Sequence, residues 1–385
     1  MITDHDLVLH VGMPRASSIV GPALDRLRPQ LRAHGIAYVD TAELEGRRRA
    51  AEWKRRRVTH RRRTADFGRA LAVLARAEQQ RAGSLWRRRR VPMVVAGDGL
   101  LGPGDIGWHD GEQLRPDAMS VMTQVIETLS ARTVQIVVHT HRQDRLLELA
   151  YLRRLHAGEH ATLEEYFPNL FEPVLDYGDL VARLRTAPRV SDVVVRPVEL
   201  ADAGLHAFVH DLLGVIGLRD AVDLYALGVG LLVHPSVYSA RGAALARTLN
   251  PMVQGDEFTV LRRFLVERHS APAEYGPPDI LDQGARARVL TAYAEANRSL
   301  FSENMPDLPS DSYADETATF GLGNELRQPQ PHDRTVSSSL RLAASATTNE
   351  ASTALLSAGR RLGRQLPPAQ RERLEHLRRR LVRSD

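Results

Sequence analysis

The stretch LVLHVGMPRASSIVGPAL, residues 7–24, reads as a strand, a short loop and the start of a helix. Backbone N–H groups at a helix N-terminus lack partners, and the helix dipole adds positive potential there, so such a corner can receive an anion. Gly12 lets the chain turn close to that anion, while Arg15, Ser17 and Ser18 offer donors that suit phosphate oxygens. It is not a Walker A loop, because G-x-x-x-x-G-K-[ST] is absent. These residues leave a second reading open, in which Ser18 caps the helix and Arg15 is solvated.

A second candidate is Asp98 in VVAGDGLL, at the carboxyl end of an expected central strand. A carboxylate there could accept a hydroxyl proton if burial raises its pKa. The competing reading is a turn cap beside Gly97 and Gly99, since Asp-Gly is a turn signature. His139 and His141 share one strand face without an evident third ligand, so no metal site is expected. His10 and His139 read as packed core histidines. The sequence holds no Gly-x-Ser-x-Gly elbow and no paired-carboxylate motif.

Composition narrows the chemistry further. With no Cys, disulfide frameworks, thiolate metal sites and thiol catalysis are excluded. Of the 52 basic residues only Lys54 is a lysine, so cationic chemistry falls almost entirely to guanidinium groups. The net charge of +5 is unevenly spread. Residues 46–90 carry +14, residues 334–385 carry +7, and the remainder carries −16. An acidic body with two basic segments results. No apolar run approaches the roughly 18 residues of a membrane span, and the start of the chain lacks signal-peptide character, so a cytoplasmic protein is expected.

The elements that must position these groups are legible as alternating strands and helices. Leu7–Val11, Met93–Ala96, Val134–Val138 and Val193–Val195 are short apolar runs of the kind found in buried parallel strands. Ala23–His34 is an expected helix, with Leu24, Leu27 and Leu31 on one face, Gly35 as its stop, and Pro29 bending or splitting it. Asp144–His156 is another, carrying Leu147, Tyr151 and Leu155 on one stripe and closed by Gly158. The expected fold class is α/β, with a parallel central sheet flanked by helices and its ligand at the carboxyl ends of the strands. The basic insert 46–90 reads as helical, and 200–305 as mostly helical. Residues 307–350 read as a disordered linker, and 351–385 as a basic amphipathic helix with Leu374, Leu377 and Leu381 on one stripe.

Four stretches in order resemble bacterial sulfotransferases that use 3′-phosphoadenosine-5′-phosphosulfate (PAPS), a P-loop-like fold. LVLHVGMPRASSIVGPALDRLRPQLRAHGIAYVD resembles their opening, whose loop reads Gly-Met-Pro-Lys-Thr-Gly-Thr-Thr. HTHRQDRLLELAYLRRLHAGEHATLEEYF is similar to their strand–Arg-Arg-Gln-Asp–helix segment. HPSVYSARGAALARTLN resembles their Asn-x-Ser-Leu-Ser…Leu-Arg-x-Leu-Asn segment, and ILDQGARARVLTAYAEANRSLFSENMP their closing helix with its Asn-Arg pair. The likeness covers residues 7–306, leaving the insert and the tail outside it.

The resemblance implies sulfuryl transfer from PAPS to a hydroxyl acceptor without a metal. It assigns donor binding to Gly12, Pro14, Arg15, Ala16, Ser17, Ser18 and Ile19, with Arg15 in place of the lysine that steadies the leaving oxygen. Ser17 replaces the family's glycine and Ile19 its last threonine. The 3′-phosphate pair, an arginine and a serine, falls on His141 and Leu149, with Arg142 as a substitute cation. Asp98 sits where family members carry a glutamate and is the implied base. The acceptor would be a carbohydrate, lipid or small metabolite, an acidic glycan among them. The basic segments could touch an anionic membrane surface; nucleic acid is not the expected partner, because Trp53 and Trp86 are the only aromatics interleaved in the arginine runs. The substitutions at 15, 17, 19, 141 and 149 carry an alternative: a catalytically degenerate member acting as a binding or scaffolding module.

Overall fold

The computed structural model describes residues 5–12, 14–41, 60–83, 91–97, 100, 116–167, 176–202, 204–224, 237–271 and 280–314. All of them belong to one compact unit, Met1–Arg327; a second unit, Gln328–Asp385, lies outside them, and with it the expected C-terminal helix.

Five parallel strands form the centre: β1 (Leu7–Gly12), β2 (Ala37–Asp40), β3 (Met93–Gly97), β4 (Val134–Thr140) and β5 (Val190–Pro197), in the order β2-β3-β1-β4-β5. The α/β class with a parallel sheet is therefore observed. Every residue of β3 and β4 is buried, as expected when helices cover both faces of a parallel sheet. On the edge strand β5 burial alternates, which is why only Val193–Val195 stands out as an apolar run.

The connections are helical: α1 (Pro14–Ala33), α2 (His60–Gly83), α3 (Pro116–Leu129), α4 (Gln143–His156) and α5 (Tyr177–Arg185). After β5 come the 3-10 turn Val198–Asp202 and helices α6 (Leu205–Val215), α7 (Ala240–Leu249), α8 (Asp256–His269) and α9 (Gln283–Asn304). A two-residue antiparallel pair, β6 (Val237–Tyr238) with β7 (Ser270–Ala271), ties the start of α7 to the end of α8.

Helix α1 begins at Pro14, earlier than the expected Ala23, and is not split at Pro29. It runs unbroken through both Pro22 and Pro29. Both lie on its exposed face, where water can take the carbonyl that each leaves unpaired. Its inner face, Ala16, Ile19, Val20, Ala23, Leu24, Leu27 and Leu31, is buried in the core. The expected stop at Gly35 holds: with φ at 71° it supports a Schellman closure, Ile36 N donating to Leu31 O and Gly35 N to Arg32 O. β2 follows at once.

The basic insert contributes α2, while residues 46–59 and 84–90 lie outside the described ones. Leu71, Ala75, Glu78 and Ala82 form the buried stripe of α2. Glu78 anchors it, receiving Nε and Nη2 of Arg32 at 3.1 and 2.6 Å and a further bond from Arg81. Burial works against the Glu78 charge, but the hydrogen bonds from Arg32 and Arg81 hold its carboxyl below the usual range. One acid thus docks an arginine-rich helix onto the body.

The folded body also reaches past the expected linker boundary at 307. Residues 307–314 are ordered as turns, with Tyr313 only 1% exposed and packed edge-on against Phe301. Residues 315–350 lie outside the described ones.

Candidate functional site

Parallel strands send all their carboxyl ends to one edge of the sheet. Register places Val11 beside Gly97, Gly12 beside His139, and Thr140 beside Pro197. From β1 the chain leaves toward β2 on one side, and from β4 toward β5 on the other. In open α/β sheets such a reversal opens a crevice beyond the strand ends, which is where ligands bind. Here the reversal falls between β1 and β4. Gly12 ends the first of these strands, and His141 and Arg142 follow the second.

On the β1 side, α1 begins at Pro14, two residues after the strand ends. Proline at this first position has no N–H to lose, and the next amides in the first turn lack intrahelical partners. Ala16 and Ile19 are 0% and 2% exposed and belong to the core, so only their backbone can face a ligand. The side chains of Pro14, Arg15, Ser17 and Ser18 fall outside the described residues, as does Asp98, while the Gly12 backbone ends β1. Gly97, just before Asp98, has φ at 142° and lies so close to Thr41 that a Cβ there would sit 1.8 Å from Thr41 Oγ1.

The β4 side is a closed polar cluster. Tyr177 clamps the backbone of His141, its hydroxyl donating to the carbonyl at 2.9 Å and lying 3.2 Å from the amide. The His141 ring is 0% exposed, and neither of its nitrogens has a hydrogen-bond partner among the described residues. Its Nδ1 stands 3.6 Å from Glu199 Oε1, beyond hydrogen-bond range but close enough for electrostatic attraction. Glu199 accepts from the Arg142 amide at 2.9 Å and from the Tyr313 hydroxyl at 2.8 Å. Burial opposes its charge, yet His141, the Arg142 amide and Tyr313 together hold its carboxyl below the usual range.

The Arg142 guanidinium turns away into a buried ionic ladder. Its Nε and Nη2 meet the two oxygens of Asp144 at 2.7 and 3.0 Å. Arg286 joins Asp144 to Glu148 at 2.6 and 2.9 Å, and Arg145 closes on Glu148 at 3.1 Å. Burial would raise Asp144, but the Arg142 and Arg286 contacts hold it low; burial prevails at Glu148, which is raised despite Arg286. Gln143 and Asn297 exchange amide hydrogen bonds at 2.7 and 2.9 Å. At the far end of α4, Asn250 Nδ2 donates to Leu155 O and Glu159 O.

Glu199, Tyr313, Arg286 and Asn297 were not singled out as site residues from sequence. Asn297 carried a direct signal, the Asn-Arg pair; Arg286 lies in the same matched stretch without being marked by it, and Glu199 and Tyr313 lie outside the matched stretches. Leu149, on α4, is half-buried and aliphatic. The expected core histidines are in place: His10 Nε2 and His139 Nδ1 lie 2.8 Å apart in full burial. Among the described residues no group of three or more His, Cys, Asp or Glu could hold a metal ion, and no helix is long and apolar enough to cross a membrane.

Comparison with protein-family models, with curated proteins and with solved structures finds no match.

Proposed function

We propose that the chain is a sulfotransferase-like protein, transferring a sulfuryl group from PAPS to a hydroxyl of a carbohydrate, lipid or small metabolite. The observation that carries this reading is the position of Gly12–Ile19. The segment leaves the central strand into a 20-residue helix, at the topological reversal between β1 and β4. Amides in the first turn of α1 suit the 5′-phosphosulfate end of the donor, with Arg15 as the cation for the leaving oxygen. PAPS would supply the activated sulfuryl group; the chain's part is to orient it and exclude water.

The fit fails at the donor's other end. His141 is enclosed beside a carboxylate, and Arg142 is held by Asp144, so neither faces a 3′-phosphate. That observation favours a second reading, a degenerate member that binds a nucleotide without turnover.

Titration calorimetry with adenosine 3′,5′-bisphosphate tests both. Binding that is lost in Arg15→Ala supports the nucleotide site, and absence of heat at millimolar ligand removes it. Release of the bisphosphate from PAPS in the presence of hydroxyl acceptors then separates the enzyme from the silent binder.

A further inference from the structure

We infer that the chain carries a binding site for a small organic carboxylate with an apolar tail, in a groove beside the edge strand β2. The site shares no residue with the nucleotide reading above and stands or falls apart from it. The groove holds about 220 Å³ between α1, β2 and α2. Two rows of α2 form one side of it. Val73, Ala77 and Arg81 follow one another at four-residue spacing, with Leu74 and Glu78 beside them. Tyr38 and Val39 of β2 form the other side.

The two ends of the groove differ in chemistry. Val73, at 67% exposure, is an aliphatic side chain left in water. Arg81 lies eight residues further on, about 12 Å along the helix. Its guanidinium commits Nη1 to Glu78 while the side chain stays 62% exposed, which leaves the Nε–Nη2 edge open to a carboxylate in fork geometry. Glu78 is met by Arg32 at 2.6 Å, by Arg28 at 3.7 Å and by Arg81, so cations outnumber that acid here, although Asp25 draws Arg28 the other way at 2.6 Å. An incoming cation would meet Arg81, and a neutral head would gain no charge assistance. A carboxylate with a tail satisfies both ends. Size sets the tail: at roughly 30 Å³ per water-sized group, 220 Å³ has room for about seven, as in octanoate.

The probe is octanoate, titrated into the full chain by calorimetry at fixed ionic strength, with butanoate, hexanoate, dodecanoate, octanol and octylamine alongside. Affinity should rise from butanoate to octanoate by up to about fourfold per methylene. It should level off at dodecanoate, whose extra carbons have no groove to enter. Arg81→Gln should weaken octanoate by about tenfold or more and leave the weaker binding of octanol unchanged. Val73→Asp, at an exposed position where folding tolerates the change, should weaken octanoate by placing a like charge at the tail end. Absence of heat from octanoate at millimolar concentration overturns the inference. So does affinity that climbs unabated to dodecanoate, octylamine binding as tightly as octanoate, or parent-like binding in both variants. A parent dimer in sedimentation that Val73→Asp splits would overturn it too, because a second copy would then be the occupant.

Discussion

The hydroxyl of Tyr313 donates to Glu199 Oε2 at 2.8 Å, joining residues 114 positions apart at the carboxyl ends of β4 and β5. The Tyr313 proton being committed there, Thr140 Oγ1 donates to the same hydroxyl at 3.1 Å. One side chain past the closing helix thereby ties the end of β4 to the turn that follows β5.

Tyr313→Phe should therefore destabilise the chain by about 1–3 kcal/mol, since it strands a buried carboxylate oxygen and the Thr140 hydroxyl. Ending the chain after Pro306 should cost more, about 3–5 kcal/mol, because the ring packed on Phe301 is lost as well. Urea unfolding of the two variants measures the difference; equal midpoints to the parent would show that the segment is a passenger.

The buried His10–His139 pair sets a pH dependence. Burial pushes His10 down to about 3, and His139 falls well below its ordinary value through burial and then its positively charged surroundings. Unfolded imidazoles take up protons below about pH 6.5, whereas the folded pair does not until far lower. Stability is thus complete above about pH 6.5 and declines as pH falls toward 3, by up to about 1.4 kcal/mol per pH unit for each ring. Between about pH 6.5 and 5, before carboxylates protonate, the double replacement His10→Leu/His139→Met should flatten the slope of urea midpoint against pH.

Arg286 is the hinge of the ionic ladder, at 4% exposure. Arg286→Met should cost about 3–5 kcal/mol, because Asp144 and Glu148 stay buried with less compensation. Arg183→Ala, which removes an exposed pair with Asp179, should cost about 1 kcal/mol or less. Comparable losses in the two would contradict the burial argument.

Gly97 closes β3 with φ at 142°, a conformation that disfavours L side chains, and stands against Thr41. Gly97→Ala should lower the melting temperature through both strain and overlap, about 1–3 kcal/mol from each. Adding Thr41→Gly removes the overlap alone, so the double variant should recover part of the loss. Recovery of all of it would mean that the backbone there carries no strain.

Four of the five strands were legible because each is a run of β-branched and aliphatic residues bounded by turn signals. β2 was not: AYVD is too short and too mixed to stand out, and its place beside β3 comes from the Schellman closure that feeds it. The start of α1 was hidden by its prolines. A helical period passing through proline looks broken until the outward position of both rings is known. Tyr313 was hidden by its neighbours, since a segment rich in Pro, Ser and Asp reads as linker when the pocket for its one aromatic is out of view.

The polar site divides along the same line. Local sequence carried the corner after β1, because a glycine-containing loop entering a helix is a short-range pattern. It could not carry the fate of Arg142 or His141. Those depend on Asp144, Glu199 and Arg286, which are brought together by strand order and helix packing. What the order of amino acids determined by itself was an α/β chain with alternating elements, helix stops at Gly35 and Gly158, and a glycine-containing loop that enters a helix after its first strand. Only the tertiary structure decided which charges are spent on one another. Ion pairing in the interior depends on distance through space and on exclusion of water, and neither is a property of neighbouring positions along the chain.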